Sequence, residues 1–92
     1  MNDSTQPLEP LALLDCFTVP VALELDARGL TCPLPLLKAK QALRNLTAGD
    51  ILRVLATDAG SLRDFGSYAQ LSGQTLLAAV EHDQVFCYLL KK

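Results

Sequence analysis

The apolar pattern changes period between Val21 and Leu46, and the change falls at Cys32-Pro33-Leu34-Pro35. Before it, Val21, Leu23 and Leu25 alternate with Ala22, Glu24 and Asp26, the period of a half-buried strand. After it, Leu36, Ala39, Leu43 and Leu46 recur at helical spacing, the stripe of an amphipathic helix. Proline is accepted in a first helical turn, which sets the helix start near Pro33. Residues 27–31 become a loop, with Gly29 free to take a positive φ. Such a junction opens a β-α-β unit, which joins parallel strands by a right-handed crossover.

The remaining pattern completes the domain. Residues 47–50 end the helix and turn into a second strand over 51–57, apolar at alternate positions. Residues 58–60 form a loop, and Ser61-Leu62-Arg63-Asp64 has the shape of a capping box. Leu62, Phe65 and Ala69 supply the stripe of a second helix, which Gly66 predicts to be short or irregular. Gly73 is its natural stop. Strands over 74–81 and 85–90, joined through His82-Asp83-Gln84, read as a hairpin. The order βαβαββ predicts an α/β (α+β) two-layer sandwich: a mixed four-stranded sheet with two helices on one face.

The chain has 92 residues, the size of one domain. Residues 1–20 read as an N-terminal extension, partly disordered, with Leu11 to Leu14 able to dock on the domain, which spans 21–92. A net charge of -2 argues against strong, indiscriminate nucleic-acid binding, which needs a basic surface. The polar, acidic N-terminus lacks the features of a secretory signal. Apolar runs fall far short of the ~20 residues that span a bilayer. The expectation is a cytoplasmic protein, with no membrane partner, whose three cysteines are thiols.

Cys32 is the position where context makes a chemical argument. It stands at a loop-to-helix junction, where the positive end of the helix dipole favours a thiolate and lowers the thiol pKa. Pro33 and Pro35 carry no N–H, so the expected activation is moderate. Pro33 also disfavours helical geometry at Cys32, which holds the thiol on an exposed turn. The competing reading is a small buried apolar side chain, the common fate of a free cysteine. A thioredoxin-like dithiol is excluded, because Pro35 occupies the second cysteine's place. His82, the one histidine, reads as a solvated turn residue and so offers Cys32 no base. No pair among Cys16, Cys32, Cys87 and His82 has zinc-ligand spacing, so neither metal nor cofactor is expected. Cys87 alternates with Val85 and Leu89 and reads as core, while Cys16 has no activating neighbour in sequence. A lone exposed thiol suits the acceptance and passing on of a group by exchange at sulfur.

The segment Leu25-Asp26-Ala27-Arg28-Gly29-Leu30-Thr31-Cys32-Pro33-Leu34-Pro35 resembles the signature of the TusA (SirA-like) sulfur-carrier family. Gly49, Val54, Asp58, Arg63, Asp64 and Gly73 fall where that family places similar residues. The resemblance covers residues 21–92 and implies a two-layer βαβαββ fold. It also implies that Cys32 accepts sulfane sulfur from a donor such as a cysteine desulfurase or rhodanese. Cys32 would carry that sulfur as a persulfide and pass it to an acceptor protein, in tRNA thiolation, molybdenum-cofactor maturation or another sulfur transfer. The implied role is that of a sulfurtransferase-like carrier rather than a stand-alone enzyme, with Gly29, Pro33 and Pro35 supporting the motif. Leu34 stands where tRNA-thiolation members carry an acidic residue, and Thr57 and Gly60 replace an acidic residue and a proline.

Leu37, Lys40 and Arg44 lie along one strip of the first helix beside its core stripe. They are either a docking face for an acidic donor or an ordinary solvated face. The resemblance favours docking, and it favours adding Asp58, which physics alone reads as a loop residue satisfying local N–H groups. The alternative function is a regulatory or redox-sensing interaction module without sulfur transfer. Oxidation sensing would need a restoring thiol, and none is near Cys32 in sequence.

Overall fold

The computed structural model describes residues 16–92, so the expected docking of Leu11 to Leu14 lies outside the described residues. The elements follow the expected order: β1 (Leu23–Ala27), α1 (Leu34–Arg44), β2 (Ile51–Ala56), α2 (Gly60–Ser72), β3 (Thr75–His82) and β4 (Val85–Lys91). The sheet runs β1-β2-β4-β3, with β1 parallel to β2 and the other pairs antiparallel. It is the mixed four-stranded sheet of a two-layer sandwich, both helices lying on one face.

The central strands explain the packing. On β2, Leu52, Val54 and Ala56 face the helices; on β4, Tyr88 and Leu90 do so. These side chains are buried with Ala39 and Leu43 of α1 and Phe65 of α2. Phe65 stacks on Tyr88 with ring centroids 4.4 Å apart, and the Tyr88 hydroxyl is 2.6 Å from Ser61 Oγ. That contact satisfies the polar end of an otherwise apolar core side chain. The alternate residues of the same strands, Arg53, Cys87 and Leu89, are buried on the second face of the sheet. Residues 16–21 cover that face, contributing Cys16, Phe17, Val19 and Val21.

Several expectations need correction. Val21 does not extend β1; the strand begins at Leu23, and Val21 packs instead on the second-face cluster. Leu23 is exposed because β1 is an edge strand. The proposed capping box is not formed, since α2 begins at Gly60 and Ser61 lies inside its first turn. Ser61 Oγ donates to the Asp58 carbonyl, while the Asp58 carboxylate accepts the Gly60 N–H at 3.0 Å. Gly66 leaves α2 an unbroken helix of 13 residues, because its cost of about 1 kcal/mol is small beside the burial of Phe65. His82 closes β3 opposite Val85, so the turn is Asp83-Gln84 alone, both at positive φ. Gly73 ends α2 in the left-handed conformation expected of it, at φ 80°.

Candidate functional site

Two chain crossings build the site. β1 ends at Ala27, and the following turn is fixed by the Gly29 N–H donating to Thr57 Oγ1 at 2.9 Å, with Gly29 at φ 84°. Arg28 folds back on Asp26 through Nε–Oδ1 and Nη2–Oδ2 contacts of 2.8 and 2.9 Å. The pairing holds the Asp26 carboxyl down to about 2. The chain then reaches Cys32, joined to Pro33 by a cis peptide bond. Pro33 is the N-cap of α1, one residue before the helix, and Pro35 is buried beneath its first turn. No side chain caps this helix. The Leu34 N–H donates to the Thr31 carbonyl at 2.8 Å and is therefore turned back into the loop.

Cys32 is exposed, whereas Cys16 and Cys87 are buried. The second crossing, from β2 into α2, supplies its neighbours. Gly60 opens α2 directly against Cys32: a Cβ there would lie 3.7 Å from Sγ, 3.4 Å from the Cys32 Cβ and 2.9 Å from Asp58 Oδ2. One turn further on, Asp64 accepts a hydrogen bond from the Cys32 thiol. This hydrogen bond, some loss of hydration and the charges of Asp64 and Asp58 raise the Cys32 thiol above its ordinary value, with Arg63 opposing them. The expected lowering by the helix dipole is thus overturned. An N-terminus whose prolines lack N–H groups is a weak donor, and two carboxylates at short range outweigh it.

The other expected residues divide between two surfaces. Lys40 lines a groove of about 460 Å³ between α1 and α2, with Leu36, Asp64, Tyr68 and Leu71. Its ammonium stands 5.7 Å from the centre of the Tyr68 ring. A second hollow shares Lys40 and Tyr68 and continues to Arg44, Gln74 and Lys92. Leu37 is exposed outside both linings, and Leu34 and Leu71 are exposed nearby. Asp58 satisfies the Gly60 N–H, as its local reading requires. His82 is exposed at the hairpin, in edge contact with Phe17. Among the described residues, no cluster of three or more His, Cys, Asp or Glu could hold a metal ion. None of the helices there is long and apolar enough to cross a membrane.

Asp64 and Gly60 are the neighbours of Cys32 that motif reading did not select as site residues. From spacing alone Asp64 reads as a capping residue, and from the resemblance as a matching position with no role assigned, since nothing in local spacing joins positions 32 and 64. Gly60→Val should slow alkylation of Cys32 by iodoacetamide severalfold at fixed pH, because its branches crowd the sulfur. An unchanged rate would mean that Gly60 does not control access.

The family model for "Sulfurtransferase TusA" matches residues 23–92. The "Sulfur carrier protein TusA" of Allochromatium vinosum is 46% identical over 69 residues, covering 75% of this chain and 91% of the relative. The protein of the same name from Pseudomonas putida is 41% identical over 68 residues, covering 74% and 85%. The crystal structure of the SirA-like protein from Desulfitobacterium hafniense superposes with a TM-score of 0.68 at 30% identity, covering 75% of this chain and 95% of that one.

Proposed function

The chain belongs to the TusA (SirA-like) family of sulfur carriers, and from that premise we propose that Cys32 is the atom-bearing residue of the relay. A carrier of this family transfers sulfur without being a stand-alone enzyme. The observation that carries the assignment is that Cys32 is exposed while both other thiols are buried. In the domain formed by residues 21–92, the Cys32 sulfur attacks the terminal sulfur of a donor persulfide. A new S–S bond forms at Cys32, the donor's own S–S bond breaks, and the donor leaves as a thiolate. Asp64, which accepts the thiol hydrogen bond, is placed to take the proton that Cys32 gives up. A second exchange hands the terminal sulfur to an acceptor protein and returns Cys32 to the thiol. Pro33 and Pro35 fix the turn from which the sulfur is presented, and Gly29 sets the approach to it.

The helix groove is the docking surface of this reading. Lys40 and Arg44 provide positive charge along its length, Leu71 provides exposed apolar contact within it, and Leu37 provides exposed apolar contact on α1 outside its lining. A donor or acceptor with an acidic, partly apolar edge fits that pattern. Asp64 belongs both to the groove and to the Cys32 contact, so a partner in the groove lies beside the sulfur.

With a cysteine desulfurase and cysteine, the unmodified protein should gain a reductant-labile sulfur. The Lys40→Glu, Arg44→Glu double variant should gain it severalfold more slowly at low salt, with the gap closing as salt rises. Equal rates across the salt series would remove docking from α1. Failure of the unmodified protein to gain sulfur from any sulfane-sulfur donor would favour the regulatory-module reading.

A further inference from the structure

The family match begins at Leu23, and the segment before it carries a cysteine whose surroundings the sulfur relay does not explain. Cys16 is 1% exposed and Cys87 0%, although 71 residues separate them in the chain. Each sulfur lies against the other residue's backbone: Cys87 Sγ is 2.9 Å from the Cys16 carbonyl, and Cys16 Sγ is 3.3 Å from that of Cys87. Reciprocal contacts of this kind set the two residues face to face.

One side chain fastens the segment around Cys16 at two points. Arg53, buried on the second face of β2, donates from Nε to the Cys16 carbonyl at 2.9 Å and from Nη2 to the Val19 carbonyl. Its third contact is an ion pair with Glu24 at 2.7 Å. Beneath this strap lie Cys87 and Leu89, flanked by Ile51, Leu55, Ala78 and Val80. Removal of the strap would uncover an apolar sheet face in a chain whose other face is already filled by helices.

We propose that Cys16 and Cys87 form a dithiol latch, an intramolecular disulfide site that locks residues 16–20 over the second face of the sheet when oxidised. The oxidant is a low-molecular-weight disulfide. Both thiols are buried while the strap is closed, so the exchange takes place when residues 16–20 lift from the sheet. One of the two thiols, as thiolate, then attacks the small disulfide, forming a mixed disulfide and releasing one small thiol. The other thiol then attacks the protein sulfur of that mixed disulfide, forming the Cys16–Cys87 bond and releasing a second small thiol. Both protein thiols are oxidised, the small disulfide is reduced, and the two protons leave on the released thiols. The neighbouring Cys87 thiol, with help from the Arg53 charge, holds Cys16 below the usual thiol value, whereas the partnership and burial push Cys87 above it. The fastening is the stronger because the bond closes most of the chain into one loop.

The test uses the full chain carrying Cys32→Ser, so it is independent of sulfur carriage. Titration with oxidised glutathione should remove two hydrogens from the intact mass, and peptide mapping should find Cys16 joined to Cys87. Limited proteolysis should then cut within residues 16–21 many times more slowly than in the reduced protein. Adding Cys16→Ala should abolish both effects while the circular dichroism of the sheet is retained. Glutathione adducts without the internal bond, a bond formed only in denaturant, or equal proteolysis of oxidised and reduced chains would each overturn the latch. Should Cys16→Ala fail to fold, the mass and proteolysis of the Cys32→Ser protein decide alone.

Discussion

Asp64→Asn should move the pH profile of Cys32 alkylation to lower pH and speed alkylation severalfold near neutrality. In the native site the thiol donates to Asp64, and the charges of Asp64 and Asp58 further disfavour a thiolate. The folded protein therefore holds its proton to higher pH than a free cysteine does, and reactivity rises only as pH climbs through that raised value. Asparagine keeps the size of the side chain and removes its charge, so the thiolate emerges earlier in the titration. Asp58 stays in place and retains part of the effect, which the Asp58→Asn, Asp64→Asn double variant should remove. The stopped reaction of iodoacetamide with the Cys16→Ala, Cys87→Ala protein, followed from pH 6 to 10, isolates the one thiol. A profile identical with and without Asp64 would show that the contact does not govern ionisation.

This arrangement suits a carrier better than a strongly activated thiol would. A thiolate exposed at all times reacts with any electrophile or disulfide it meets. A thiol whose proton rests against a carboxylate is quieter until a partner brings a sulfur into line and changes the local charge. The groove between α1 and α2 is lined by both Lys40 and Asp64, and Asp64 also holds the Cys32 thiol, so docking and ionisation meet at one residue.

The sequence made the element order legible because each element has a period and a boundary residue. The change of period at Cys32, the αL stop at Gly73 and the hairpin after β3 all lie where the pattern puts them. What it hid was tertiary. The thiol's ionisation was argued from α1 alone, yet it is decided by carboxylates from the start of α2, brought to the sulfur by parallel pairing of β1 with β2. Ser61 looked like a cap because its spacing to Asp64 is right, but Tyr88 and the Asp58 carbonyl claim its hydroxyl and Cys32 claims Asp64. Alternation likewise extended β1 to Val21, where the chain instead leaves the sheet edge and crosses to its second face. Local spacing reports a residue's neighbours along the chain, and each of these errors arose from a neighbour across it.

The most direct test of the account is the intact mass of three single variants after loading. Cys16→Ser, Cys32→Ser and Cys87→Ser are each incubated with a cysteine desulfurase, pyridoxal phosphate and cysteine, then weighed before and after reductant. Loading from a persulfide borne on a protein donor requires a thiol at the surface of the closed fold that the donor can approach in line. Cys32 meets that condition, whereas Cys16 and Cys87 are shielded by each other and by the strap. The Cys16→Ser and Cys87→Ser proteins should gain one reductant-labile sulfur, and Cys32→Ser should gain none. A labile sulfur retained by folded Cys32→Ser would contradict the account and move the carrier site to one of the other two cysteines.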